Sequence, residues 1–168
     1  MTEPALKGLT ETNALINFGD LPTHIDEMLQ SGVALYRQDR AAADAMFRAA
    51  LAADPSVLPT YFCLAKIHTY SGALDAALTA AEAGIAEAAR QIGIGADFRA
   101  WSPADVANGA DPNGATRFAL YMIKALAFIH LRRNEPAEAN AVLAQLARLG
   151  WLEAVGGHVV AELAGANG

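Results

Sequence analysis

Only one cysteine occurs among the 168 residues, Cys63. No disulfide can form within the chain, and a reducing, cytoplasmic setting is expected. Long apolar runs are missing as well. The best candidate, residues 118–131, carries Lys124 and His130 and falls short of the roughly 18 residues a membrane helix needs. Basic residues are scarce: 12 Lys and Arg against 18 Asp and Glu leave a formal net charge of −6. A chain of that sign repels phosphate backbones, which argues against nucleic acid as a partner. Residues 1–20 contain neither an apolar core nor an early basic cluster, so neither a secretory signal nor a membrane partner is expected. Strand signals are few.

What remains is an apolar fraction of 54% in which alanine is prominent. Alanine is the best helix former and packs without losing side-chain entropy. An all-α chain is the expectation. Its alanines are also ordered. Ala43, Phe47, Ala50 and Pro55 read A-x3-F-x2-A-x4-P, and Ala77, Ala81 and Gly84 repeat the spacing 34 residues later. Ala139, Leu143 and Leu146 repeat it again. Upstream of each run stands a second pattern: Met28, Ser31, Gly32, Leu35; then Tyr61, Leu64, Ala65, His68; then Ile123, Leu126, Ala127, His130. A small residue recurs where two helices must approach closely. In these residues the chain resembles tetratricopeptide repeat (TPR) proteins, with degenerate motifs over roughly residues 23–149. The resemblance implies a right-handed superhelix of about three helix pairs, 23–54, 57–91 and 112–149. A C-terminal capping helix at 152–164, carrying Gly156 and Gly157, would complete it.

The expected organisation is an N-terminal arm, 1–20, and a single domain, 21–168. Thr23 and Asp26 suggest a capping box opening a helix that runs to about Gln38. Asp39 can cap the second helix, and Pro59 suits the first turn of the third. Ser71-Gly72 ends that helix, and the fourth spans about Leu74 to Gln91. The interval from Ala77 to Ala139 is 62 residues, 28 more than one repeat. The surplus lies in an inserted segment, 91–113. Within it Ser102, Pro103 and Asp105 signal a short helix that Gly109 stops. Phe98, Trp101 and Val106 argue that the segment is ordered. Asp111-Pro112 is expected to open a long helix to Arg133.

No constellation of catalytic, cofactor-binding or metal-ligating residues is legible, and an enzyme is not expected. The four histidines show no ligand spacing, and His68 and His130 read as polar groups at a packed helix seam. Cys63 reads as a half-buried helical thiol with no activating base. Gly93-Ile94-Gly95-Ala96 follows a helix and lacks the Lys-Ser/Thr of a phosphate loop.

In the repeat class, the first helix of each pair lines a concave face. Helical spacing then points Asp26, Leu29, Val33, Tyr36 and Arg37 inward from the first copy. Pro59, Phe62, Lys66, Thr69 and Tyr70 follow from the second, and Tyr121, Lys124, Phe128, Leu131 and Arg132 from the third. This face is aromatic and basic in an acidic chain. The candidate partner groove is therefore Tyr36, Arg37, Phe62, Lys66, Tyr70, Tyr121, Lys124, Phe128 and Arg132, suited to an acidic or C-terminal peptide segment. Phe98 and Trp101 are the alternative, a plug for the same groove. The carboxylate clamp of chaperone-binding repeat proteins needs Asn beside Lys. The matching positions hold Gln30, Val33, Cys63, Lys66, Ala125 and Phe128, so that partner class is not implied. The expected role is a bacterial-type adaptor or chaperone. A self-associating protein, dimeric through Trp151 and the C-terminal helix, is the second reading. Residues 98–101 and 58–64 also resemble small repeat proteins encoded near nitrogen-fixation genes, which would imply an accessory factor of a larger enzyme system.

Overall fold

The structure, a computed structural model, describes residues 19–167. Most of the N-terminal arm, residues 1–18, therefore lies outside the described residues. Among the described residues there are seven α-helices and no strand. They are α1 (Thr23–Leu35), α2 (Arg40–Ala53), α3 (Leu58–Tyr70), α4 (Leu74–Ile92), α5 (Ala115–Arg132), α6 (Pro136–Arg148) and α7 (Gly157–Asn167). Two 3-10 turns, Phe98–Ala100 and Pro103–Val106, sit between α4 and α5.

Local chemistry explains most boundaries. The Asp39 carboxylate accepts a hydrogen bond from the Ala42 amide at 3.0 Å and starts α2. Pro59 occupies the first turn of α3, where its missing N–H leaves no gap. Gly93, at φ +90°, closes α4: its own amide and that of Ile94 both reach the Ala89 carbonyl. Ser102 donates from its amide and its hydroxyl to Asp105 at the head of the second 3-10 turn.

Four boundaries differ from expectation. Pro22 is the N-cap of α1, and Thr23 makes no side-chain cap. The helix ends at Leu35 rather than Gln38, because the Gln38 and Asp39 amides both turn back to the Leu35 carbonyl. Asp111 does not open α5. Its side chain accepts from the Asn113 amide at 3.0 Å, an Asx turn, and the helix begins at Ala115 behind Gly114. Finally, residues 152–155 are turn, so Gly156 and Gly157 precede and begin α7 instead of lying inside it.

Connections of three or four residues join α1 to α2, α2 to α3, α3 to α4, and α5 to α6. Helices adjacent in sequence pack together, and α3 also meets α5 directly. α7 lies on α6 and α5. Alanines fill the seams: Ala43, Ala50, Ala77, Ala81, Ala127 and Ala139 are all fully buried. Phe47 is 3% exposed, in a cluster with Ile25, Leu29, Leu64 and Ile67. A second cluster runs through α4, α5 and α6 to Val155 and Val160. Helices α3 and α5 bury residues nearly all the way round, as the inner members of a stack must.

Trp101 is ordered, 2% exposed, with its indole N–H donating to the Gly95 carbonyl at 2.6 Å. Phe98 meets it edge to face at 6.4 Å. The Gln145 amide of α6 donates to the carbonyls of Phe98, at 2.9 Å, and Trp101, at 3.2 Å. Arg148 reaches the Trp101 carbonyl as well, at 2.9 Å. The insertion is thus stitched to α6.

Candidate binding cleft

Helices α3 and α5 approach each other and leave a cleft of about 70 Å³ between them. Phe62, Ala65, Lys66, Thr69 and Tyr70 line it from α3, and Ala125, Phe128 and Ile129 from α5. The spacing 62, 65–66, 69–70 is one helical stripe, and 125, 128–129 is its counterpart. Four of the nine expected groove residues therefore meet here: Phe62, Lys66, Tyr70 and Phe128. Among the described residues no acidic side chain lines the cleft. The Thr69 hydroxyl is turned away from solvent and donates to the Ala65 carbonyl at 2.6 Å, so the floor is apolar.

Cations stand around this cleft. The Lys66 ammonium sits 4.9 Å over the Phe62 ring, and the Lys124 ammonium 4.9 Å over Tyr121. Burial lowers the pKa of both lysines, and the Lys124 charge lowers that of Lys66 further, so the two ammoniums feel each other. Burial raises the Tyr70 phenol, and the Arg132 charge draws it partly back. Tyr121 is 42% exposed.

The first copy does not contribute as expected. Tyr36 is 7% exposed and belongs to the α1–α2 core, with the Arg40 guanidinium 5.1 Å from its ring centroid. Leu29 is fully buried in the same core. Tyr36, the C-cap of α1, keeps helical dihedrals, and its ring is taken up by the α1–α2 core instead of a groove. Arg37 is exposed and lines no part of the cleft. Neither Phe98 nor Trp101 lines it; both are used against α6.

Two side chains escaped the sequence reading, and a third, Cys63, differs from it. Ile129 completes the floor, one residue from Phe128. Arg117 lies between the Tyr121 ring at 5.8 Å and the Trp151 ring at 5.1 Å, an arrangement no spacing could show because Trp151 comes from beyond α6. Cys63 is fully buried rather than half-buried. Burial pushes its thiol up to about 12. His68 and His130 are 8% and 6% exposed. They pair with Asp44 at 3.6 Å and Glu135 at 3.0 Å, each across a helix seam or turn.

A larger recess of about 350 Å³ lies between Arg99 and the α6 stripe Glu138, Ala141, Val142, Gln145 and Arg148. Its cations are engaged. Arg148 bonds Gln145 and the Trp101 carbonyl, and Arg99 stacks on Phe98 at 4.5 Å and faces Asp97. It is the seam where the insertion meets α6. Among the described residues no cluster of His, Cys, Asp and Glu has the makings of a metal site. None of the described helices is long and apolar enough to cross a membrane. No family model, curated protein or solved structure matches the chain.

Proposed function

We propose that this chain is a non-enzymatic interaction module, a degenerate tetratricopeptide-type superhelix that holds a segment of a partner protein on its concave face. The observation that carries the reading is the cleft itself. Phe62, Lys66 and Tyr70 from one helix and Phe128 from another converge on an apolar recess with cations beside it. The packing order supports the superhelix: each helix lies on its successor, α3 skips to α5, and small residues fill the seams. In this reading α3 and α5 face inward, and the α3–α5 cleft is part of the concave surface. The setting we assign is cytoplasmic, and the role is that of an adaptor or chaperone.

Self-association through the C-terminal face is the weaker reading. Trp151 would be its anchor, yet a Cβ on Gly109 would stand 2.7 Å from that indole, and Arg117 stacks on it. The ring already packs within its own chain.

The test is positional crosslinking. A photoreactive residue replacing Tyr121, which is exposed on α5, should capture one defined partner in the native host. The same residue replacing Ala144, on the exposed side of α6, should capture none. Lys66→Glu combined with Lys124→Glu should abolish the Tyr121 adduct. Equal capture from both positions, or an adduct indifferent to the lysines, would defeat the reading.

A further inference from the structure

Arg117 and Lys124 of α5 are cations without an anion. Among the described residues neither makes a hydrogen bond or an ion pair, in a chain that holds 18 Asp and Glu against 12 Lys and Arg. Other cations that pack against the fold are engaged: Arg133 with Asp75 and Glu135, and Arg148 with Gln145 and the Trp101 carbonyl. The Nε–H of Arg117 is buried with no partner. It gives up water and receives no hydrogen bond in return, which a folded chain ordinarily avoids.

The two charges share one ring. Arg117 stands one turn before Tyr121 and Lys124 one turn after it. The Arg117 Cζ is 5.8 Å and the Lys124 Nζ 4.9 Å from the Tyr121 ring centroid. The ring itself is exposed. Trp151 walls the Arg117 end at 5.1 Å. The loop before α7 borders the Lys124 end, where a Cβ on Gly156 would stand 3.9 Å from Nζ. None of these residues lines the α3–α5 cleft. Charge selects the ligand. One guanidinium fork can take both oxygens of a carboxylate, which would leave Lys124 uncompensated. A phosphomonoester carries a charge of about −1.5 to −2 at neutral pH and three acceptor oxygens, enough for both cations. A nucleic-acid backbone would meet the acidic remainder of the chain, so a single phosphate is the fit.

We propose that Arg117 and Lys124, with Tyr121 between them, form a binding site for a phosphomonoester. Its terminal oxygens accept from the guanidinium and the ammonium, and the ester group rests against the Tyr121 and Trp151 rings. Inorganic phosphate shares this chemistry without the ester group. The site goes beyond the interaction-module reading and does not depend on it.

The experiment titrates the full chain with phenyl phosphate at low salt and follows the two indole N–H resonances, told apart with Trp151→Phe. The Trp151 resonance should move saturably. That of Trp101, buried and bonded to the Gly95 carbonyl, should stay in place. Benzoate should bind about tenfold more weakly or worse, since it offers one charge to two cations. Arg117→Met should abolish the phenyl phosphate shift. Lys124→Gln leaves the Arg117 packing intact, which guards against a folding fault in the first variant, and should weaken binding about tenfold. Arg48→Gln removes an exposed cation of α2 that pairs with Asp44 and should change nothing. Inorganic phosphate separates the sources: weaker binding than phenyl phosphate supports the site with an organic ester as its ligand, and equal binding supports it with free phosphate. No saturable shift, benzoate as tight as phenyl phosphate, or undiminished affinity in both Arg117→Met and Lys124→Gln would overturn the proposal. So would a loss from Arg48→Gln equal to that from Lys124→Gln, since the effect would then be net charge alone.

Discussion

Gly32 of α1 lies directly against the ring of Phe47 on α2: a Cβ on Gly32 would stand 2.4 Å from Phe47 Cε1. The two residues are the small position and the aromatic position of the first repeat pattern, and their fit sets how closely α1 and α2 approach. Gly32→Ala should therefore destabilise by about 1–3 kcal/mol through overpacking. Phe47→Ala should cost about 3–5 kcal/mol through the cavity it leaves. Combined, the two should cost less than their sum, because truncating the ring makes room for the new methyl. Urea unfolding of the four chains checks this. Additive effects would mean that the two residues do not touch in solution.

Two side chains of α6, Gln145 and Arg148, hold the insertion. Gln145 is 9% exposed and donates to two backbone carbonyls of residues 98–101. Gln145→Leu takes the side-chain donor from the Phe98 carbonyl, while Arg148 still reaches that of Trp101, at a cost of about 1–3 kcal/mol. Its expected signature is local. In a Trp151→Phe background, Trp101 emission should be blue-shifted with Gln145 present and should move toward that of water-exposed indole without it. Proteolysis near Gly109 should quicken while the helical spectrum stays the same. Unchanged emission would show that the stitch to α6 is dispensable.

Residues whose role is decided by immediate neighbours were legible in the sequence. Asp39, Pro59, Ser71-Gly72 and Ser102-Pro103 act through hydrogen bonds or dihedral preferences spanning a few residues, and each does what its local chemistry suggests. Thr23 and Asp111 were misread because a capping residue has competing options. Pro22 holds an extended ψ of 133° and takes the cap position, and Asp111 bonds two residues ahead instead of starting a helix. The cleft was half legible for a related reason. Periodicity fixes which side chains share a stripe, so Phe62, Lys66 and Tyr70 came out together. It does not say which neighbour a stripe packs on, so the burial of Tyr36 in the α1–α2 core was not legible. The destination of Phe98 and Trp101 was not legible at all, since Gln145 lies 44 and 47 residues away and nothing local encodes that meeting.

Cys63 supplies a check on burial. The thiolate is the reactive form, and a thiol pushed up to about 12 has almost none at neutral or mildly alkaline pH. Iodoacetamide at mildly alkaline pH should leave the native chain unmodified and should label it fully in urea, as followed by intact mass. Labelling of the native chain at the rate of a free thiol would show that α3 is not packed between its neighbours.

The lysines give the cleft a pH signature. An anionic peptide binds their protonated forms, so affinity is present below the lysine pKa values of the free cleft and is lost as pH rises through them. Burial lowers both values from the ordinary 10.5, and for Lys66 the Lys124 charge adds to the effect. Loss of peptide binding should therefore begin at a lower pH than for an exposed lysine. Cys63 lies near Lys66, the Tyr121 ring lies under Lys124, and a Cβ on Gly156 would stand 3.9 Å from the Lys124 ammonium. Binding should also draw protons from solution at alkaline pH, because a bound carboxylate raises the lysine pKa values again. Calorimetry of an acidic peptide that binds the cleft, in two buffers of different ionisation enthalpy, would read that uptake. Lys66→Arg with Lys124→Arg keeps the charge but removes the titration, and should hold its affinity to higher pH. A parent chain whose affinity stays flat as far as pH 10.5 would show that these ammoniums do not hold the carboxylate.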